Sequence, residues 1–175
     1  MSKKQIQDGG STWVDKAVCV RRVTKVTKGG KRFAFSAFVV SGDQKGNVGI
    51  ASGKGRDVSA AIAKATARAH KQLIAVPLRH TTIPYPIEGS HGACKVILCS
   101  ASKGTGIIAG SAVRSVMEAL GIKDILTKAL GASNNINVVK ATLNALAKLR
   151  SAQHIAKLRG KTVKEITQGI QDVAA

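Results

Sequence analysis

The chain has 175 residues, with 28 Lys+Arg against 9 Asp+Glu, a formal net charge of +19 and a pI near 10.5. A chain this positive repels itself when folded, so it belongs against a polyanion, either nucleic acid or an anionic membrane surface. A hydrophobic fraction of 44% excludes a disordered basic tail, and aromatics at 3% argue against an extended single-strand stacking platform. The cysteines Cys19, Cys94 and Cys99 are odd in number and lack paired spacing, which excludes a disulfide framework and a zinc site and points to a reducing compartment. No stretch approaches 18 apolar residues, and Met1 to Gly10 carry no apolar run, so neither a membrane span nor a signal peptide is expected.

Residues 1–12 are polar and read as a disordered tail. From Trp13 the sequence alternates: Val14, Lys16, Val18, Val20, Arg22 and Thr24 share one parity, which predicts a strand. Lys28-Gly29-Gly30-Lys31 predicts a tight hairpin turn. The return strand spans Arg32 to Ser41, and after a turn at 42–46 a third strand runs from Asn47 to Ser52. Asp57 is placed as the cap of a helix reaching Val76, with Val58, Ile62, Ala65, Ala69, Leu73 and Val76 as its apolar stripe and Lys64, Arg68 and Lys71 as a basic face. Residues 13–76 thus form an α+β unit of three antiparallel strands plus a helix.

Residues 77–86 hold all three prolines and read as a linker. Beyond it lies a βαβα-type domain, 87–160, followed by a tail at 161–175. Cys94 to Ser100 is a strand and Lys103 to Gly106 a glycine-rich turn. Ser111 is placed as the cap of a helix with Val113, Val116, Met117 and Leu120 on its apolar face. Residues 122–130 fit either a strand or a short helix. Asn134 or Asn137 caps a helix to Leu149, and Ser151 to Arg159 is a short basic helix.

The charge is concentrated. Residues 16–71 hold 13 Lys+Arg against Asp43 and Asp57 alone, a net +11. The first hairpin carries Arg21, Arg22, Lys25, Lys28, Lys31 and Arg32 with no acid among them. Such groups on a projecting loop match phosphates along a backbone, and each contact releases a counterion.

Two motifs mislead. Residues 31–38 fit five of seven positions of the RNP1 pattern, but the preceding strand offers no aromatic partner and joins by a tight hairpin, so Phe33 and Phe35 are expected in the core. Gly104-x-Gly106-x-x-Ala109, with Asp124 twenty residues on, matches a dinucleotide fingerprint, yet a Rossmann strand order has no room before it. The acids and His70, His80, His91 and His154 are scattered, so neither catalysis nor a cofactor is expected.

Several stretches in one order resemble the small-subunit ribosomal protein five family of bacterial type. They are 20–30 (VRRVTKVTKGG), the run from Val39 to Gly49, 102–110 (SKGTGIIAG), Val113 to Val116, Asn137 to Thr142 and Arg159 to Val163. Gly55, Ser59, Ser100 and Asn135 depart from its usual residues. The resemblance covers about Trp13 to Thr167. It implies a double-stranded-RNA-binding-like first domain and a βαβα second domain with a left-handed crossover. It also implies a cytoplasmic ribosomal constituent that binds 16S ribosomal RNA, abuts small-subunit proteins four and eight with protein three nearby, lines the messenger RNA entry tunnel and influences accuracy. Arg21, Arg22, Lys25, Lys28, Gly29, Gly30, Lys31 and Arg32 carry over as its RNA-contacting loop. Lys54, Arg56, Lys64, Arg68 and Lys71 join them as candidate RNA contacts on the basis of charge. The missing presequence favours a bacterial over an organellar host. No basic amphipathic helix has a Trp- or Phe-rich face, so a membrane partner loses support.

Overall fold

A computed structural model of the chain describes residues 7–8 and 11–168. A short ribbon pairs β1 (Gln7–Asp8) with β2 (Ser11–Thr12), which corrects the expectation of an unstructured tail at those positions. The first sheet has the order β3 (Val14–Thr27), β4 (Gly30–Gly42), β5 (Asn47–Gly55), β6 (Leu73–Ala75), all antiparallel. A bulge between Ala17 and Cys19 shifts the β3 register.

Helix α1 spans Val58–Ala69 with Asp57 at its N-cap position, and it ends at Ala69 rather than reaching Val76. The next residues leave the helix and add β6 to the sheet edge, where Leu73 and Ile74 are exposed. The buried face of α1 is Ala61, Ala65 and Ala69, while Val58 of the expected stripe is exposed. The reason lies across the interface. Gly49 and Gly53 of β5 face the helix, and a Cβ on either would overlap the backbone carbonyl of Ala69 or Ala61. A glycine strand and an alanine helix bring backbone close to backbone, which leaves no room for the larger Val58 or Ile62 between them.

The second sheet has the order β7 (Ile87–His91), β8 (Cys94–Ser100), β10 (Ile125–Gly131), β9 (Ile107–Ile108). Residues 125–131 are therefore strand, which settles the open alternative, and β7 is a strand absent from the sequence reading. Helix α2 (Ser111–Leu120) starts after Gly110, so Ser111 is its first residue and not its cap. Its expected face is buried: Val113, Val116, Met117 and Leu120. Asn134 caps α3 (Asn135–Ala147) by accepting the Ile136 N–H. Ser151 caps α4 (Ala152–Arg159) by accepting that of His154. Helix α5 (Val163–Gln168) occupies part of the expected C-terminal tail.

The residues between the sheets do not form a loose tether. Ile83 is fully buried, Val76 N–H donates to Gly46 O at 2.8 Å, and Tyr85 OH accepts Arg150 N–H at 2.9 Å. The β4–β5 turn docks on the end of α2, where Gln44 N–H donates to Ala119 O (3.0 Å) and Gly46 N–H to Leu120 O (3.2 Å). These carbonyls belong to the last helical turn and have no partner within the helix. Lys16 pairs with Glu118 across the same junction. Phe38, Val40 and Val48 of the first sheet share one core with Val96, Leu98, Met117 and Leu146 of the second unit. The first sheet is thus covered on both faces, by α1 on one and by the second unit on the other.

Two carboxylates hold turns. Asp124 is buried and accepts the N–H groups of Gly106 and Gly104, each at 3.0 Å. The Gly106 bond, a bond from the Thr81 side chain and the Gly104 bond hold its carboxyl below the usual aspartate range, against the opposing effect of burial. At Asp43 burial pushes upward, but bonds from the Asn47 side chain and the N–H groups of Lys45 and Asn47 outweigh it, and the net shift is downward. A carboxyl depressed on folding adds stability above its unfolded pKa and loses it as pH falls through the folded value. We expect Asp124→Asn to flatten the acid side of the stability curve, read as thermal midpoint by circular dichroism between about pH 5 and pH 2. An acid limb identical to that of the unsubstituted protein would refute this.

Candidate nucleic-acid interface

Glycine and charge together build the projecting element. Thr27 pairs with Gly30, so Lys28 and Gly29 form the loop, and Gly30 takes φ 135°, open to glycine but strained for other residues. Thr27 Oγ1 donates to Gly30 O at 3.0 Å and closes the turn. The last rung of β5 pairs Gly55 with Phe35. Beyond it β3 and β4 continue alone, as a two-stranded ribbon about 16 Å long at ~3.3 Å per residue.

Register sorts the basic residues. Arg21, Lys25 and Arg32 lie on the ribbon face turned toward the second unit, and Arg22 and Lys31 on the face turned toward α1, with Lys28 at the tip. Lys25 and Arg32 are directly opposite one another. Like charges in that position destabilise a ribbon, and no acid stands nearby to offset them. All six basic residues are exposed. One has a tertiary role: Arg21 donates to Asn134 Oδ1 at 3.3 Å, which ties the base of the ribbon to the cap of α3.

The remaining candidates divide. Lys54 pairs with Ser36, which pairs in turn with Arg21, so Lys54 extends the Arg21 face. Arg56 is exposed just past β5. Lys64, Arg68 and Lys71 belong to α1 and its end, on the opposite side of the sheet, where Arg68 folds back to donate to Ser52 O at 3.0 Å. The thirteen candidates are therefore not one patch but a two-faced ribbon with a separate helix surface.

Phe33 corrects the sequence reading. It is 51% exposed on the outer ribbon, where neither α1 nor the second unit reaches, and Phe35 is only half-buried. Phe38 is the one phenylalanine in the core. The glycine-rich turn carries no nucleotide site, because the N–H groups that would cradle a phosphate are spent on Asp124. Among the described residues, no three His, Cys, Asp or Glu side chains gather as metal ligands, and no helix is long and apolar enough to cross a membrane.

Two family models divide the chain where the fold does. Residues 13–77 match the N-terminal domain of ribosomal protein S5, and residues 89–159 match its C-terminal domain. The chain belongs to the ribosomal protein S5 family. A small ribosomal subunit protein uS5 of Lawsonia intracellularis is 51% identical over 152 residues, covering 87% of this chain and 93% of its own length. One from Hydrogenovibrio crunogenus is 48% identical over 166 residues, covering 95% and 98%. One from Syntrophobacter fumaroxidans is 52% identical over 153 residues, covering 87% and 92%. A member of the S5 family is a structural constituent of the small ribosomal subunit in the bacterial cytoplasm, not an enzyme.

Proposed function

We propose that this S5-family chain binds 16S ribosomal RNA chiefly through the β3–β4 ribbon, in the manner of a cationic finger. The observation that carries this reading is the unopposed charge: six exposed basic residues, two of them cross-strand neighbours, with no acid on the ribbon. Phosphate contacts and shape account for most of the affinity, and Lys54, Arg56, Lys64, Arg68 and Lys71 add further contacts. In the assembled subunit the chain abuts proteins four and eight, with protein three nearby, and takes part in lining the messenger entry tunnel. Basic groups there hold messenger phosphates without regard to sequence. The interface with protein four rearranges as the subunit closes on cognate pairing, so its strength biases that equilibrium and hence accuracy.

Co-sedimentation tests the core of the proposal. The full chain is expected to travel with the small subunit at moderate salt. Its affinity for purified 16S RNA should fall steeply as salt rises, with a log–log slope near −5 for roughly six phosphate contacts. An affinity insensitive to salt would overturn the electrostatic account.

A further inference from the structure

We infer that Arg22 and Phe33 form a stacking site for one unpaired nucleobase, a contact beyond the phosphate binding proposed above and resting on that reading. The Arg22 guanidinium carbon sits 4.6 Å from the centroid of the Phe33 ring, and half of the Phe33 surface stays in solvent. Both residues lie on the ribbon face turned toward α1: Arg22 on the last rung that β5 reaches, where Phe35 pairs with Gly55, and Phe33 past it, and both are exposed. The same face leaves Val26 71% and Val20 42% exposed. An apolar strip on a finger of six cations and no acid suits an occupant with two properties: negative charge for the cations and a flat apolar surface for the ring.

Phosphate alone meets the first need and leaves Phe33 uncovered. An acidic protein surface also meets it but has no intrinsic flat face. An unpaired nucleotide meets both, since every base has a π-face and carries its phosphate alongside. Arg22 adds to the fit. Its guanidinium is already held against the ring by cation–π attraction, and a guanidinium plane is itself a surface on which bases stack. The aromatic content of the chain is too low for an extended platform, so the site takes one base.

The test uses the full chain and protein-free 16S ribosomal RNA, with affinity measured at several salt concentrations for the unsubstituted protein, Phe33→Leu and Phe33→Tyr. Leucine keeps the ring's apolar character and loses its face; tyrosine keeps both. Phe33→Leu should weaken binding about 5- to 100-fold with the salt slope unchanged, and Phe33→Tyr should bind as the unsubstituted protein does. Chemical probing of the complexes should find a base that the unsubstituted protein shields and Phe33→Leu leaves reactive. Unchanged affinity and unchanged base reactivity for Phe33→Leu would overturn the stacking site alone, leaving Arg22 and Phe33 as a structural cross-strand pair. Failure of the unsubstituted chain to bind the RNA would overturn both this inference and the reading beneath it. Far-UV circular dichroism of each variant separates loss of contact from loss of fold.

Discussion

Gly53→Ala is expected to destabilise the protein by about 1–3 kcal/mol, the usual cost of forcing a methyl into a filled interface. The added Cβ would collide with the Ala61 carbonyl oxygen and stand 2.7 Å from Ala65 N. Both are backbone atoms of α1, so no rotamer change relieves the overlap, and the helix must move off the sheet. That motion would open the packing of Ala61, Ala65 and Ala69 together, because one rigid helix carries all three. Urea unfolding gives the measurement: the midpoint should fall with the slope unchanged. Gly29→Ala is the matched control. Nothing lies within 4 Å of its added Cβ, and its stability should stay within about 0.5 kcal/mol of the unsubstituted protein. Equal effects at the two positions would refute the close-packing account.

Changing Lys25, Lys28 and Lys31 together to glutamine is expected to weaken RNA binding and to leave the fold intact. All three are exposed, and their side chains make no hydrogen bond or ion pair among the described residues. If each neutralises one phosphate, the magnitude of the log–log salt slope should drop by two to three, roughly 0.7–0.9 per contact. Removing Lys25 also relieves its repulsion with Arg32 across the strands, so the thermal midpoint should hold or rise slightly. The pair of measurements is discriminating. A retained slope would mean that these lysines do not meet phosphates, and a fallen midpoint would mean that the loop supports the fold. Arg21 is left out of the set because its bond to Asn134 gives it a structural share.

The sequence was most legible where local chemistry decides structure. The β3–β4 hairpin follows from alternation and a two-glycine turn, and the buried face of α2 follows from apolar spacing. Helix α1 shows where such rules stop. Apolar spacing put Val58 and Ile62 on one stripe with Ala65 and Ala69, while the buried face is Ala61, Ala65 and Ala69, chosen by glycines on a strand that the helix meets only in three dimensions. The residues after Ala69 have nothing local to mark them as strand; the exposed edge of β5 recruits them as β6. Phe33 failed in the opposite sense. Its aromatic character suggested the core, and only the length of the ribbon past β5 leaves it in solvent.

By itself the sequence determined the charge, its concentration in residues 16–71, the glycine-hinged ribbon and membership of a structural ribosomal family. These depend on composition and on neighbours in the chain. The tertiary structure decided how that charge is presented: Arg21, Lys25, Arg32 and Lys54 on one side of the sheet, Arg22 and Lys31 on the other, Lys64 apart on α1 and Lys71 just past its end. It also decided that the two units share a core, with backbone N–H groups of one turn satisfying the helix-end carbonyls of the other unit. Strand register and burial across a packed interface set these outcomes, and both depend on residues far apart in the chain.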